Sequence, residues 1–220
     1  MGQSRVFPFF HGFRAPCVCG FLHVPASPSG DSLVLTHGAG ANCQSPLLVA
    51  LATGFCESGL TVLRSDLPFR QLYPHGPPPR GSADHDQQGL RNAVWAMKRA
   101  SGRVFLGGHS YGSRQAMMLA AAEPGLVDGL LLLSYPLHPP KRPEQLRTDH
   151  FPLLRTPSLF VHGSRDGFGS MEELTAVLKL IPALTGLVTV QGAGHELVST
   201  RTVGDVTTTV VKTFWNFVTQ

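Results

Sequence analysis

Short, nearly continuous apolar runs alternate along this chain with longer stretches whose apolar residues return every three or four positions. Val127 to Ser134 is almost purely aliphatic, the pattern of a strand covered on both faces. Ser32 to His37, Leu60 to Arg64, the run ending at Leu106, Ser158 to Val161 and Gly186 to Val190 predict further strands. Cys17 to Val24 alternates loosely and stops at Pro25, and the turn-forming Ala26 to Asp31 follows. Between the strands lie helical patterns. Ser45-Pro46 is a helix start, with Leu47, Leu48, Leu51 and Phe55 on one side as far as Cys56. A second helix opens near Asp84 and carries Leu90, Val94 and Met97, a third follows Ser110 until Glu123-Pro124-Gly125 stops it, and a fourth spans Met171 to Leu180. The last starts near Asp205, with Val206, Val210, Phe214 and Phe217 on its apolar face. This alternation predicts an α/β fold, a doubly wound and mostly parallel sheet, in one domain spanning residues 1–220.

Three stretches do not fit the alternation. The Phe- and Arg-rich segment up to Pro16 has no clean period and is left unassigned. Pro74 to Gly81 holds too many prolines for helix or central strand, so it is a surface loop, either a border to a site or a neutral linker. His138 to Leu154 is proline-rich and charged, with a short helix at Glu144 to Arg147, and reads as a small cap or a side flap.

Composition narrows the classes. The chain has 220 residues, 42% of them hydrophobic, which is enough for a substantial core. No apolar run approaches the roughly 20 residues that span a bilayer, and the first residues lack the order of a signal peptide, so a cytoplasmic protein without membrane association is expected. The formal net charge is +4. Arg64, Arg70, Arg80, Arg99, Arg103, Lys141, Arg142 and Arg147 are scattered over different elements, and no nucleic-acid module surrounds them; a solvated basic surface is the reading. Cys17, Cys19, Cys43 and Cys56 read as reduced, buried small hydrophobes, with neither a disulfide framework nor a metal site implied.

The chemistry sits in four glycine-marked loops that follow strands. In Gly108-His109-Ser110-Tyr111-Gly112, strand and helix are so close that Ser110 must occupy the turn itself, in a strained backbone with its hydroxyl projecting above the sheet. A serine hydroxyl needs a base, and the base needs a carboxylate to orient it and to stabilise its charge. His195, in Gly194-His195-Glu196, is the candidate base, and Asp166, in His162-Gly163-Ser164-Arg165-Asp166, the candidate acid; Asp66 and Glu196 are second choices. His37-Gly38-Ala39-Gly40 is the fourth loop. His37 is expected to shape it, and the His109 side chain to point away from the nucleophile.

On these four motifs, from Ser32 to the C-terminus, the chain resembles the α/β-hydrolase superfamily, most closely its small dienelactone-hydrolase-like and KANL/Tex-type branch. The resemblance implies a Ser-Asp-His set in that chain order and an oxyanion hole from the backbone amides of Ala39 and Tyr111. It also implies that one or two leading strands and most of the cap are missing, since the chain is short for the family. The function expected is hydrolysis of a small-molecule carboxylic ester or thioester through an acyl-enzyme, with no cofactor. Peptidase, lactonase and acyltransferase chemistry share the same elements, and a non-catalytic module that binds a protein partner is the competing reading. Phe69, Tyr111, Tyr135 and Phe168 are candidates to line an apolar substrate pocket.

Overall fold

A computed structural model describes residues 3–219. Its strands are β1 (Arg5–His11), β2 (Val18–Val24), β3 (Ser32–Thr36), β4 (Thr61–Ser65), β5 (Val104–His109), β6 (Gly129–Leu133), β7 (Ser158–Gly163) and β8 (Thr185–Val190). Its helices are α1 (Pro46–Glu57), α2 (Pro68–Leu72), α3 (Ala83–Lys98), α4 (Tyr111–Ala122), α5 (Met171–Leu178) and α6 (Val203–Val218), with one 3-10 turn at Phe151–Leu153. All eight strands form one sheet in the order β1-β2-β4-β3-β5-β6-β7-β8. The pairs β1/β2 and β2/β4 are antiparallel and the remainder parallel.

The continuous apolar runs follow from helices on both faces. Because side chains alternate across a strand, Leu130 and Leu132 of β6 face one core with Leu90 and Val94 of α3 and Ala116 and Met117 of α4. Leu131 and Leu133 face the other, with Leu48, Leu51 and Phe55 of α1 and Val210 and Phe214 of α6. Phe214 packs edge-on against both Phe55 and Phe105. Each such side chain contributes about 1.5–3 kcal/mol on leaving water, so a substitution that exposes either face uncouples a helix from the sheet.

Several expectations change. The segment left unassigned contains β1, which pairs with β2 at the edge of the eight-stranded sheet, so leading strands expected to be missing are present. It lacked a period because β1 is an edge strand, mostly open on both faces, which also tolerates Pro8 in its middle. Among the described residues, no separate cap is inserted over the sheet. Residues 138–154 form a side flap instead, held by buried Leu137, Phe151 and Leu154, and Glu144 to Arg147 are turn and irregular backbone, with no helix. Ser45 precedes α1 without a side-chain capping bond; Pro46 at the first turn marks the start. Arg64 and Arg70 are buried, so they do not belong to a basic surface. The four cysteines are free, with Cys43 and Cys56 buried but Cys17 and Cys19 only half-buried. Among the described residues, no helix is long and apolar enough to cross a membrane.

Candidate functional site

The site lies where β5, β7 and β8 end, at the carboxyl edge of the sheet, the usual place for a site in an open α/β fold. Between β5 and α4 the chain turns at Ser110, whose φ is 52° and ψ −114°, a conformation L-residues rarely adopt and that typically costs about 1–3 kcal/mol. The neighbours make the turn possible. A Cβ at Gly108 would stand 2.5 Å from the Gly112 carbonyl carbon, and one at Gly112 would stand 2.5 Å from the His37 carbonyl oxygen. Both obstacles are backbone, so neither can yield cheaply. Gly112→Ala is therefore expected to destabilise the fold by about 3 kcal/mol, checked by thermal or denaturant unfolding. The turn is further held by the Ser110 N–H donating to the Leu133 carbonyl (2.8 Å) and the Ser113 hydroxyl donating to the Ser110 carbonyl (2.7 Å).

Above this turn, three loops converge. His195 Nε2 lies 2.7 Å from Ser110 Oγ, and His195 Nδ1 lies 2.8 Å from Asp166 Oδ2 and 3.0 Å from Oδ1. The Asp166 side chain is entirely buried, while His195 retains 17% exposure. Burial pushes the Asp166 carboxyl up, but the bonds from His195 and from the Phe168 N–H (2.9 Å) and the nearby histidine rings outweigh it, so its pKa lies below the usual range. An ionised Asp166 accepts from Nδ1–H and leaves Nε2 of a neutral ring free to accept a proton from Ser110. Asp66 is not part of this chain: its Oδ1 accepts from the Cys43 N–H (2.7 Å) and lies 3.4 Å from His37 Nε2, which places it beside the glycine loop. Glu196 is exposed.

Residues 29–220 match the alpha/beta hydrolase domain family. The chain belongs to that family. Solved structures agree on the fold. A dienelactone hydrolase from Anabaena variabilis matches with a TM-score of 0.77 at 19% identity, over 98% of this chain and 99% of that one. Est1E from Butyrivibrio proteoclasticus gives 0.77 at 18%, over 97% and 99%. An alpha-beta serine hydrolase homologue from Coxiella burnetii gives 0.73 at 17%, over 94% and 96%.

In this α/β-hydrolase chain the glycine loop after β3 is pressed against the turn, since a Cβ at Gly38 would come within 3.3 Å of Ser110 Cβ. Two side chains pin the loop. His37 Nδ1–H donates to the Gly38 carbonyl (2.8 Å), and its Nε2 accepts from the Leu67 N–H (3.1 Å); burial lowers its pKa and keeps the ring neutral. Arg70 is the second. It spends its guanidinium on four backbone carbonyls: Ala39 (2.7 Å), Ala41 (2.8 Å), Tyr73 (2.8 Å) and Gly76 (2.8 Å). The proline-rich stretch is thus tied to the glycine loop through Gly76. Tyr111, the first residue of α4, has an N–H without an intrahelical acceptor. Its hydroxyl donates to Asp86 Oδ2 (2.8 Å), and Asp86 Oδ1 accepts from the Phe69 N–H (3.0 Å). Asp86 is fully buried, which raises its pKa.

Of the aromatic candidates, Phe168 touches the base directly, while Tyr111 adjoins Ser110 with its hydroxyl turned to Asp86. The Phe168 ring stacks on His195, with centroids 4.0 Å apart and planes 28° from parallel. Tyr135 and Phe69 are 0% and 2% exposed and belong to the core: Tyr135 packs edge-on to Phe151 and Phe160, and Phe69 edge-on to Tyr111. His109 also differs from expectation. Its ring does not point away but lies 5.5 Å from that of His195 and donates through Nε2 to the His195 carbonyl (2.9 Å). Burial drives the His109 pKa down, so that support is neutral. A cavity of about 450 Å³, lined by Ala41, Leu47, His109, Glu196 and Val198, opens beside the same loops.

Proposed function

We propose that this protein is a serine hydrolase of carboxylic esters or thioesters. The observation that carries the reading is the continuous hydrogen-bonded series from Ser110 through His195 to buried Asp166, anchored on a strained turn. His195 takes the Ser110 proton as Oγ attacks the substrate carbonyl carbon, and Asp166 stabilises the imidazolium that results. The tetrahedral oxyanion accepts hydrogen bonds from the Ala39 and Tyr111 amides; such donors are worth roughly 3–4 kcal/mol each. His195 returns the proton to the leaving alcohol or thiol, and an acyl-enzyme remains. Water, deprotonated by His195, then releases the acid. Phe168, stacked on the imidazole, limits its rotation and shields one face from water.

The oxyanion assignment makes Arg70 a positioning residue, since it holds the carbonyls on both sides of Gly40. Arg70→Gln is expected to lower kcat by roughly tenfold to a hundredfold while KM changes less, because the loop is misaimed more than the substrate is lost. Equal losses in both would point to a general collapse of the loop. The reading as a whole is tested with 4-nitrophenyl acyl esters of increasing chain length. Turnover is expected, with an initial burst of 4-nitrophenol stoichiometric with enzyme wherever deacylation is slower than acylation. A folded protein that hydrolyses none of them, and no acyl thioester, would overturn it.

A further inference from the structure

The chemistry at Ser110 leaves two accessible thiols unused. Cys17 stands just before β2 and Cys19 lies inside it, and in extended backbone residues two apart share one side of the strand. Their sulfurs are 3.7 Å apart, and each residue is half-buried. Cys43 and Cys56 are enclosed instead, and burial pushes both of those thiols up, which leaves them inert. A metal does not account for the close pair, since among the described residues no third histidine, cysteine, aspartate or glutamate joins it.

The pair is tied to the loop that carries Ala39. The Cys17 thiol donates to Gln71 Oε1 (3.1 Å), and Gln71 Nε2 donates back to the Cys17 carbonyl (3.1 Å) and to the Asp66 carbonyl (3.1 Å). Gln71 is next to Arg70 in α2, a helix of only five residues, and Arg70 holds the Ala39 and Ala41 carbonyls. The two cysteines are held unequally. Cys19 pairs with Phe10 of β1, and its carbonyl accepts from the Asp66 N–H (2.9 Å), whereas Cys17 lies beyond the last paired residue of β2, Val18. Burial, with the Cys17 thiol beside it, pushes Cys19 up to about 11, so at neutral pH Cys19 keeps its proton and is the hydrogen-bond donor when Cys17 becomes a thiolate.

Two thiols this close can be oxidised together without a second chain. Cα atoms two residues apart in a strand are separated by about 6.5 Å, inside the range of about 4.4–6.8 Å that a disulfide spans. We propose that Cys17 and Cys19 form a reversible redox modification site, closed by exchange with a small disulfide such as oxidised glutathione, and that closure reaches the glycine loop through Gln71. The Cys17 thiolate attacks one sulfur of the oxidant and releases one glutathione; Cys19 then attacks the Cys17 sulfur of the mixed disulfide and releases the second. Each cysteine proton passes to a departing thiolate, so the protein gives up two electrons and two protons and the oxidant becomes two glutathiones. Closing the S–S bond to about 2.05 Å removes the Cys17 S–H and draws its sulfur from Gln71 Oε1. Gln71 keeps the Asp66 carbonyl but loses the strand, and Arg70 beside it loses a brace. This last step rests on the serine-hydrolase reading; the disulfide does not.

The test treats the reduced protein with oxidised glutathione and follows intact mass, alkylation of the unfolded product and turnover of a 4-nitrophenyl ester. The protein should lose two hydrogens, with Cys17 and Cys19 alone protected from alkylation. In the same interval kcat should fall about threefold to tenfold while KM changes less, and dithiothreitol should restore it. Cys17→Ser, which keeps a hydroxyl donor for Gln71, should retain the basal rate, form no disulfide and show no fall. Gln71→Ala, whatever its basal rate, should close the disulfide without a further fall. A wild-type protein that stays reduced at millimolar oxidised glutathione, or that stops at a mixed disulfide, overturns the site. A disulfide that leaves kcat unchanged, or lowers it equally in Gln71→Ala, overturns the coupling. If no ester is cleaved, the hydrolase reading fails, and mass and alkylation alone decide the redox site.

Discussion

Ser110→Ala is expected to reduce ester turnover by roughly 10⁴- to 10⁶-fold and to leave the fold intact. The substitution removes one atom, Oγ, whose partner is His195 Nε2 at 2.7 Å. The strained backbone at φ 52° is held by the Leu133 carbonyl, by Ser113 and by the flanking glycines, none of which depends on the hydroxyl. His195 keeps its bond to Asp166 and its stack with Phe168. Stability should therefore change by less than about 1 kcal/mol. Steady-state kinetics together with a thermal melt checks both halves. A variant with more than a tenth of wild-type turnover would remove Ser110 from the chemistry.

Asp166→Asn should cost about 10⁴-fold in kcat, for a reason that differs from the loss at Ser110. The carboxylate accepts from both His195 Nδ1–H and the Phe168 N–H. An asparagine can still accept the second with its carbonyl oxygen, but its amide presents a donor toward Nδ1. The ring then carries its proton on Nε2, facing Ser110, where it cannot act as a base. Asp66→Asn, which touches the glycine loop and not His195, should lose far less. The same substitution at 166 has a signature in acid. Asp166 has a folded pKa below the ordinary 3.8, so it stabilises the fold fully above that value and loses its contribution as pH falls through the depressed one. Asp166→Asn lacks this increment, so below about pH 4 its stability should fall less steeply with acidification than that of the wild type. Denaturant melts across that range measure it.

The sequence made the elbow legible because its demands are geometric: Gly108 and Gly112 have backbone atoms where a Cβ would stand, and only glycine meets that condition. The buried strands were legible for a similar reason, since β3, β5, β6 and β7 are covered on both faces and keep their polar residues (Ser32, Thr36, His109, Ser158 and His162) at or next to their ends. β1 escaped because an open edge imposes no periodicity, and α2, five residues long, is too short to show one. Loop aromatics carry no mark of direction. Tyr135 follows β6 as Phe168 follows β7, yet one turned into the core and the other onto His195. Arg70 was assigned to a solvated surface because its partners are backbone carbonyls, which leave no signature in residue types. The ring of His109 was assigned the wrong direction because what holds it is the backbone carbonyl of His195, in a loop 86 residues further along, which residue types around the turn do not announce.

The central claim is that Ser110 is an activated nucleophile, and a fluorophosphonate tests it most directly, because phosphonylation requires a serine oxygen that a base has made reactive and does not require the natural substrate. Incubation of the folded protein with an alkyl fluorophosphonate, followed by intact mass and peptide mapping, should give one adduct, on Ser110. Ser110→Ala should give none, and Asp166→Asn should react orders of magnitude more slowly. A folded wild-type protein that stays unmodified at millimolar probe, or that is labelled equally well with alanine at position 110, would contradict the account.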